Sequence, residues 1–264
     1  MAAETPRARL FVDVPLAAAR PVPLAAAQAH YLRAVLRLAP GRRVALFNGV
    51  DGEWLARLTA LDRRGGSAEP LARRREQTAS GDLWLCFAPL KKSATDFVLA
   101  KATELGAAVL QPVLTRRTEA ARVNLERYRA ATVEAAEQCE RLDVPAVREP
   151  VPLARLLADW PAERALLVCA ERGPAMPIAE AAARLAGRPA AILIGPEGGL
   201  AQSELDGLGE LPFVHGVSLG ARILRADTAA AAALACWQAI AGDWRERPPD
   251  RGDGPSEGAA DTAP

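Results

Sequence analysis

Residues 190–200 read AAILIGPEGGL: five apolar residues with no charge run directly into a turn of two glycines, a proline, an acid and a further glycine. An uninterrupted apolar run of this length, bounded by turn residues, is what a strand buried on both faces requires. Glycines at its carboxyl end let backbone approach a ligand closely, so Gly195-Pro196-Glu197-Gly198-Gly199 is either a ligand loop at the end of a parallel strand or a tight turn needing positive φ. It lacks the Lys and Ser/Thr of a phosphate-binding P-loop and the spacing of a dinucleotide fingerprint, which disfavours ATP and NAD. Some twenty residues later the pattern returns. A strand at 213–219 ends in Leu219-Gly220, followed by Ala221-Arg222-Ile223-Leu224-Arg225 and an apolar, Ala-rich helix from Asp227 to Gly242.

Working back from this pair, strands alternate with helices from residue 83 onward, the mark of an α/β domain with a largely parallel sheet. Strands are expected at 83–88, 108–114 and 165–170, and helices at 93–105, 124–141, 153–159, 178–185 and 202–208. Before residue 65 the pattern is different. A strand at 9–14 and a helix at 25–38, with Tyr31, Leu32, Val35, Leu36 and Leu38 largely on one face, lead to apolar segments flanking Asn48-Gly49 and Asp51-Gly52, dipeptides suited to hairpin turns. This predicts a small β-rich domain over 1–72, a polar connection over 63–80, an α/β domain over 80–244, and a disordered tail, rich in Pro, Gly, Asp and Ala, over 245–264.

The 264 residues, half of them hydrophobic, suffice for two modest cores. The charged start MAAETPRARL does not read as a secretory signal, and the longest apolar run is too short to span a bilayer, so a cytoplasmic protein without membrane contact is expected. Cys86, Cys139, Cys169 and Cys236 are scattered, with no CxxC pair and no His at ligand spacing, which suggests neither disulfides nor a metal. Net charge is +1, and lysine occurs only at Lys91, Lys92 and Lys101, so any attraction for a polyanion must be local and largely carried by arginine.

GPEGG after a strand, paired with LGARILRADTA at 219–229, resembles the cofactor signature of the 16S ribosomal RNA uridine-N3 methyltransferases, the RsmE family of the SPOUT superfamily. The resemblance covers almost the whole chain except the tail. His30-Tyr31-Leu32-Arg33 with Val35-Leu36-Arg37, then Phe47-Asn48-Gly49, match its amino-terminal signatures. Lys91 and Lys101 to Gly106 match its KxxELG region, and Glu134 to Gln138, with Arg141 and Pro145, match its EAAEQxxR helix. The resemblance implies a PUA-like β-barrel joined to a SPOUT α/β domain whose carboxy-terminal chain forms a deep trefoil knot. It also implies S-adenosyl-L-methionine as cofactor, 16S ribosomal RNA or the small ribosomal subunit as partner, and a homodimer.

By the same resemblance, Gly195, Pro196, Glu197, Gly198, Gly199, Leu219, Gly220, Ile223 and Leu224 would form the cofactor pocket. Arg222 and Arg225 would either act on the substrate or only fix the knot. Glu134, Gln138 and Arg141, at i, i+4 and i+7 of one helix, would either meet the target base or phosphate or form an ordinary charged stripe. Glu134, Arg222 and Arg225 are thus the catalytic candidates. Arg33 and Arg37, one turn apart, join Lys91, Lys92 and Arg141 as RNA-binding candidates. The chain departs from the family in carrying Arg42-Arg43 where an acid is usual, Ala226-Asp227 in place of a Thr-Glu pair, and Ala201 in place of a small hydroxyl that would cap the next helix. These departures leave open a noncatalytic RNA-binding protein of the same fold. A methyltransferase acting on another nucleoside is the remaining alternative.

Overall fold

The computed structural model describes residues 6–78, 80–119, 122–170 and 175–244; the expected disordered tail lies outside them. Two sheets organise the chain. Strands β1 (Arg9–Phe11), β2 (Val22–Leu24), β3 (Arg43–Phe47), β4 (Glu53–Leu61) and β5 (Gly66–Arg75) form the first, in the order β1-β3-β4-β5-β2. Only β1 and β3 run parallel. Its core gathers Leu10, Val22, Leu24, Leu32, Val44, Leu46 and Leu58. Asn48 builds the β3–β4 turn: its Oδ1 accepts from the amides of Val50 (3.0 Å) and Asp51 (2.8 Å), and its Nδ2 donates to Val14 O. Gly52 in that turn has φ +78°, and a Cβ there would lie 2.2 Å from Arg75 O, so only glycine fits.

Two sequence expectations need correction here. The supposed connection over 63–80 contains β5, the longest strand of the domain, bonded to both β4 and β2. Its apolar signal is weak because only Ala68 and Pro70 are buried, and three register shifts against β4 interrupt the alternation. The glycines at 65 and 66 close a hairpin, in which Asp62 Oδ1 accepts from the amides of Arg64 and Gly65. The second correction concerns the helix at 25–38. Helix α1 (Ala26–His30) passes into a π-helical turn, Tyr31–Val35, with Leu36 N bonded to Tyr31 O, five residues back. Leu38 N then bonds to Leu32 O around Arg37, whose φ is +54°. The extra residue per turn rotates the face. Leu32 stays buried while Tyr31 and Val35 turn outward, and Arg37 lies beyond the helix rather than one turn from Arg33.

The second sheet belongs to an α/β layer fold. Its elements are β6 (Leu83–Phe87), α2 (Lys92–Glu104), β7 (Val109–Leu114), α3 (Leu125–Cys139), β8 (Ala146–Val147), β9 (Val151–Pro152), α4 (Leu153–Ala158), β10 (Ala165–Cys169), β11 (Met176–Pro177), α5 (Ile178–Leu185), β12 (Ala190–Ile194), α6 (Gln202–Gly209), β13 (Val214–Ser218) and α7 (Ala226–Ile240). All pairings are parallel, in the order β11-β13-β10-β12-β6-β7-β8, with β9 also on β7. Alternate side chains of β6 show why both faces must be covered. Leu83, Leu85 and Phe87 enter a core with α2, α3, α5 and α7, whereas Trp84 and Cys86 enter another with α4, Trp160 and Leu208 of α6.

The two domains are riveted at the carboxyl end of α3. Arg9, stacked 3.6 Å over the Phe47 ring, donates to the carbonyls of Ala136 (2.6 Å) and Arg141 (2.5 Å) and pairs with the buried Glu53. Glu137 accepts from Phe11 N at 2.9 Å, and burial pushes its carboxyl above the usual range despite that bond. Arg141 is also part of this joint. Helix α3 ends at Cys139, and Glu140 adopts a left-handed φ of +62°, so Arg141 leaves the face shared by Glu134 and Gln138. Its side chain is 10% exposed and donates to Thr103 O, Ala107 O, Ser80 Oγ and Asp143. A guanidinium so committed is unavailable to RNA, which removes Arg141 from the RNA-binding candidates. Burial would raise the Asp143 carboxyl, but its bonds from Arg141 and Ser80 outweigh this and hold it below the usual range.

Candidate active site

The GPEGG and 219–225 loops, expected to lie together, converge on one cavity of about 430 Å³. They leave the carboxyl ends of β12 and β13, and β10 stands between these two strands in the sheet. The cavity therefore sits over the ends of three adjacent parallel strands, where open α/β sheets bind ligands. Gly195, Pro196, Gly198, Gly199, Leu219, Gly220, Ile223 and Leu224 line it. Glu197 turns away, its carboxylate accepting from Lys91 N at 3.4 Å. The loop closes on itself through Gly199 N to Pro196 O at 2.8 Å, with Gly199 at φ +69°.

Of the catalytic candidates, only Arg222 lines the cavity, exposed at its edge. Arg225 is the residue preceding α7 and its carbonyl accepts from Ala229 N. Glu134 is exposed on α3, outside the cavity lining. Two of the departures from the family pattern, at Ala201 and Asp227, have local answers. Where the family's hydroxyl is lost at Ala201, Glu204 still accepts from Ala201 N at 2.8 Å, keeping one half of a capping box for α6. At α7, Asp227 Oδ1 accepts from Thr228 N at 2.7 Å in the first turn, where its negative charge also suits the helix dipole.

Several further residues line the cavity without belonging to any sequence motif, among them Arg117, Cys169, Gln202 and Leu205. Cys169 ends β10, a position the parallel-sheet pattern marks in retrospect. Burial pushes its thiol up to about 12, and the nearby Cys236 adds to this, so at neutral pH it is a protonated wall and not a nucleophile. Among the described residues, no group of three His, Cys, Asp or Glu could hold a metal ion. No described helix is long and apolar enough to cross a membrane.

Comparison with known proteins agrees with both halves of this architecture. An RNA methyltransferase domain model matches residues 77–238, and an RNA methyltransferase PUA domain model matches residues 24–71. Fold and site thus define a class, the RNA methyltransferases that carry a PUA-type domain ahead of a parallel α/β domain. A ribosomal RNA small subunit methyltransferase E from Rickettsia conorii is 30% identical over 230 residues, covering 86% of this chain and 93% of the relative. A protein of the same description from Synechocystis is 37% identical over 220 residues, covering 81% of this chain and 71% of its own. The crystal structure of the Neisseria gonorrhoeae ribosomal RNA small subunit methyltransferase E bound to S-adenosyl methionine superposes with a TM-score of 0.79 at 29% identity, over 90% of this chain and 99% of that one. The chain belongs to the ribosomal RNA small subunit methyltransferase E family.

Proposed function

We propose that this protein methylates N3 of a uridine in 16S ribosomal RNA, using S-adenosyl-L-methionine, as a cytoplasmic homodimer. The observation that carries the reading is the cavity built by the GPEGG and 219–225 loops at the ends of three parallel strands. The cavity suits that donor: Ile194, Leu200, Leu205 and Leu219 offer apolar contact for a purine, and glycines at 195, 198, 199 and 220 leave backbone accessible to polar groups. The bound donor would supply a methyl group on a sulfonium centre. The protein's part is to hold the base in line with it and to favour loss of the N3 proton, which the free base retains well above neutral pH. Arg222, which lines the cavity at its edge, would stabilise the anionic base, with Arg225 three residues on as its neighbour in the loop. Glu134 lies outside the cavity of its own chain, so a direct role for it would require delivery across a subunit interface. By family resemblance we also assign a trefoil knot to the carboxy-terminal chain.

Nucleoside mass spectrometry of ribosomal RNA from a strain lacking the gene tests the function. Loss of 3-methyluridine, restored by the intact gene, is expected; an unchanged nucleoside profile would exclude this activity.

RNA contact is assigned to Arg33, Arg37, Lys91 and Lys92, all exposed. Arg37 supports the reading in its backbone. A left-handed residue closing a helix is usually glycine, and a side-chain-bearing residue there is strained, a condition often retained where the side chain is used. Replacing Arg33 and Arg37 together by Ala should weaken RNA binding with little dependence on sequence and lower the slope of log affinity against log salt by roughly one unit per lost contact. Donor affinity should not change. A filter-binding salt titration reads this, and an unaltered slope would exclude the phosphate role. The dimer is supported by Ile223, 75% exposed at the cavity mouth, an apolar side chain that a second copy would cover. Light scattering at micromolar concentration should give the mass of two chains; a fully active monomer would contradict it.

A further inference from the structure

The turn that follows β7 starts two strands away from β12, with β6 between them, yet it is bonded both to the GPEGG loop and to α6 beyond it. Arg117 Nη1 donates to Gly198 O at 2.8 Å and reaches Leu200 O at 3.5 Å. Arg116 N donates to Glu204 Oε1 at 2.9 Å, and the other oxygen of the same carboxylate accepts from Ala201 N. The turn is itself braced, because Thr115 N donates to Thr118 Oγ1 at 2.9 Å and the two hydroxyls are 3.0 Å apart. No carboxylate pairs with Arg117 among the described residues. An exposed guanidinium therefore directs its hydrogen bonding at backbone carbonyls of the ligand loop.

Two adjacent glycines leave that loop with more conformational freedom than any other pair of residues would. The peptide joining Gly198 to Gly199 is planar, so its carbonyl and amide move as one unit. That unit is gripped from both sides: Arg117 holds the carbonyl and Pro196 O accepts from the Gly199 amide at 2.8 Å. The Arg117 stem also forms cavity wall, its Cδ standing 3.6 Å from where a Cβ on Gly198 would be.

We propose that Arg117 is a positioning residue that holds the GPEGG loop in the conformation that receives the methyl donor. The proposal rests on the methyl-donor reading of the cavity. Loss of the grip lets the glycine pair sample other conformations, and the donor must then select the competent one, so its apparent affinity falls.

The test compares the wild-type protein with Arg117→Met, which keeps the stem and loses the donor groups, Arg117→Lys, which keeps one charged donor, and Arg117→Ala. Calorimetric titration with S-adenosylmethionine should show the dissociation constant rising roughly tenfold in the Met and Ala variants, in line with one charge-assisted hydrogen bond, and recovering at least in part in the Lys variant. Steady-state rates should place the defect in KM for the donor, with kcat at saturating donor close to wild type, and melting temperatures should stay together because the residue is exposed. An unchanged dissociation constant in the Met and Ala variants would overturn the proposal. So would a Lys variant no better than Met, or a fall in kcat or in RNA salt slope at constant donor affinity, which would place Arg117 on the substrate instead. Failure of the wild-type protein itself to bind would remove the methyl-donor reading and this proposal together.

Discussion

Gly198→Val is expected to weaken S-adenosylmethionine binding by roughly a hundredfold or more, about 2.8 kcal/mol, while the amino-terminal domain stays folded. A first carbon at this position is tolerable, since it would meet only Arg117, at 3.6 Å to Cδ and 3.7 Å to Cβ, which is ordinary contact. The branched methyls of Val have no such allowance. They must displace the Arg117 stem, and with it the grip on Gly198 O, or enter the cavity that both residues line. Gly198→Ala should therefore bind far better than Gly198→Val. Gly220→Val should also lose binding, for a different reason. Its φ is +100°, with nothing within 4 Å of an added Cβ, so the cost is backbone strain that reshapes the 219–225 loop. Gly187→Val separates strain from site. Gly187 has φ +80° and open space around it, but it precedes β12 at the other end of that strand, so similar strain there should leave donor affinity intact. Calorimetry on the four variants decides the matter, and wild-type affinity in Gly198→Val would remove the loop from the site.

How much of this was readable from residues alone differs sharply between the two domains. Strands β6, β10 and β12 of the α/β domain are buried on both faces, so their hydrophobic runs mark them almost to the residue. Strand Ala190–Ile194 and helix Ile178–Leu185 are found as expected, and the other expected strands and helices shift at their ends. The two-residue strands β8, β9 and β11 are too short to carry a pattern and had no counterpart among the expected elements. The convergence of the GPEGG and 219–225 loops was legible because both follow parallel strands at their carboxyl ends, where such loops share one edge of the sheet. The amino-terminal domain was harder. Strand β5 has only two buried side chains and a run of three arginines, so composition alone imitates a connection. The π-helical turn at Tyr31–Val35 was illegible because its apolar residues fit an α-helical face on paper, and one extra residue per turn moves two of them to the surface. Arg141 was misread for a related reason. Helical periodicity was extended past Cys139, where the left-handed Glu140 breaks it. No periodicity can show that a side chain turns back to cap carbonyls of another helix. Arg117 lacked any signal of its own, since its part depends on a contact made 81 residues further along the chain.

Glu53→Gln should strongly destabilise the amino-terminal domain, lowering its stability by about 3–5 kcal/mol. Glu53 is 3% exposed and stands on β4 where three guanidiniums meet. Arg9 Nε donates to its Oε2 at 2.6 Å, Arg74 Nη1 to its Oε1 at 3.0 Å, and Arg75 Nη1 lies 3.8 Å from Oε2. Two of these partners reach onward to the α/β domain, Arg9 to the carbonyls of Ala136 and Arg141 and Arg75 to that of Glu140 at 2.7 Å. The carboxylate is thus the counter-charge for cations that cap the carboxyl end of α3. The amide of Gln has nearly the same volume, so little packing is lost, but it leaves converging positive charges in a site with little water to screen them. The loss should appear as a drop in melting temperature of roughly 6–20 °C. Arg57→Gln provides the contrast. That residue also pairs with an acid, Glu69 at 2.7 Å, but its side chain is 53% exposed, and exposed pairs contribute at most about 1 kcal/mol. A thermal melt of the two variants beside the wild type distinguishes a buried hub from an ordinary surface pair. Equal melting points for Glu53→Gln and Arg57→Gln would show that the convergence on Glu53 does not hold the domain to its neighbour. A large drop confined to Glu53→Gln, with donor affinity preserved at temperatures below the transition, would place the stabilisation in the joint and leave the cavity as an independent unit.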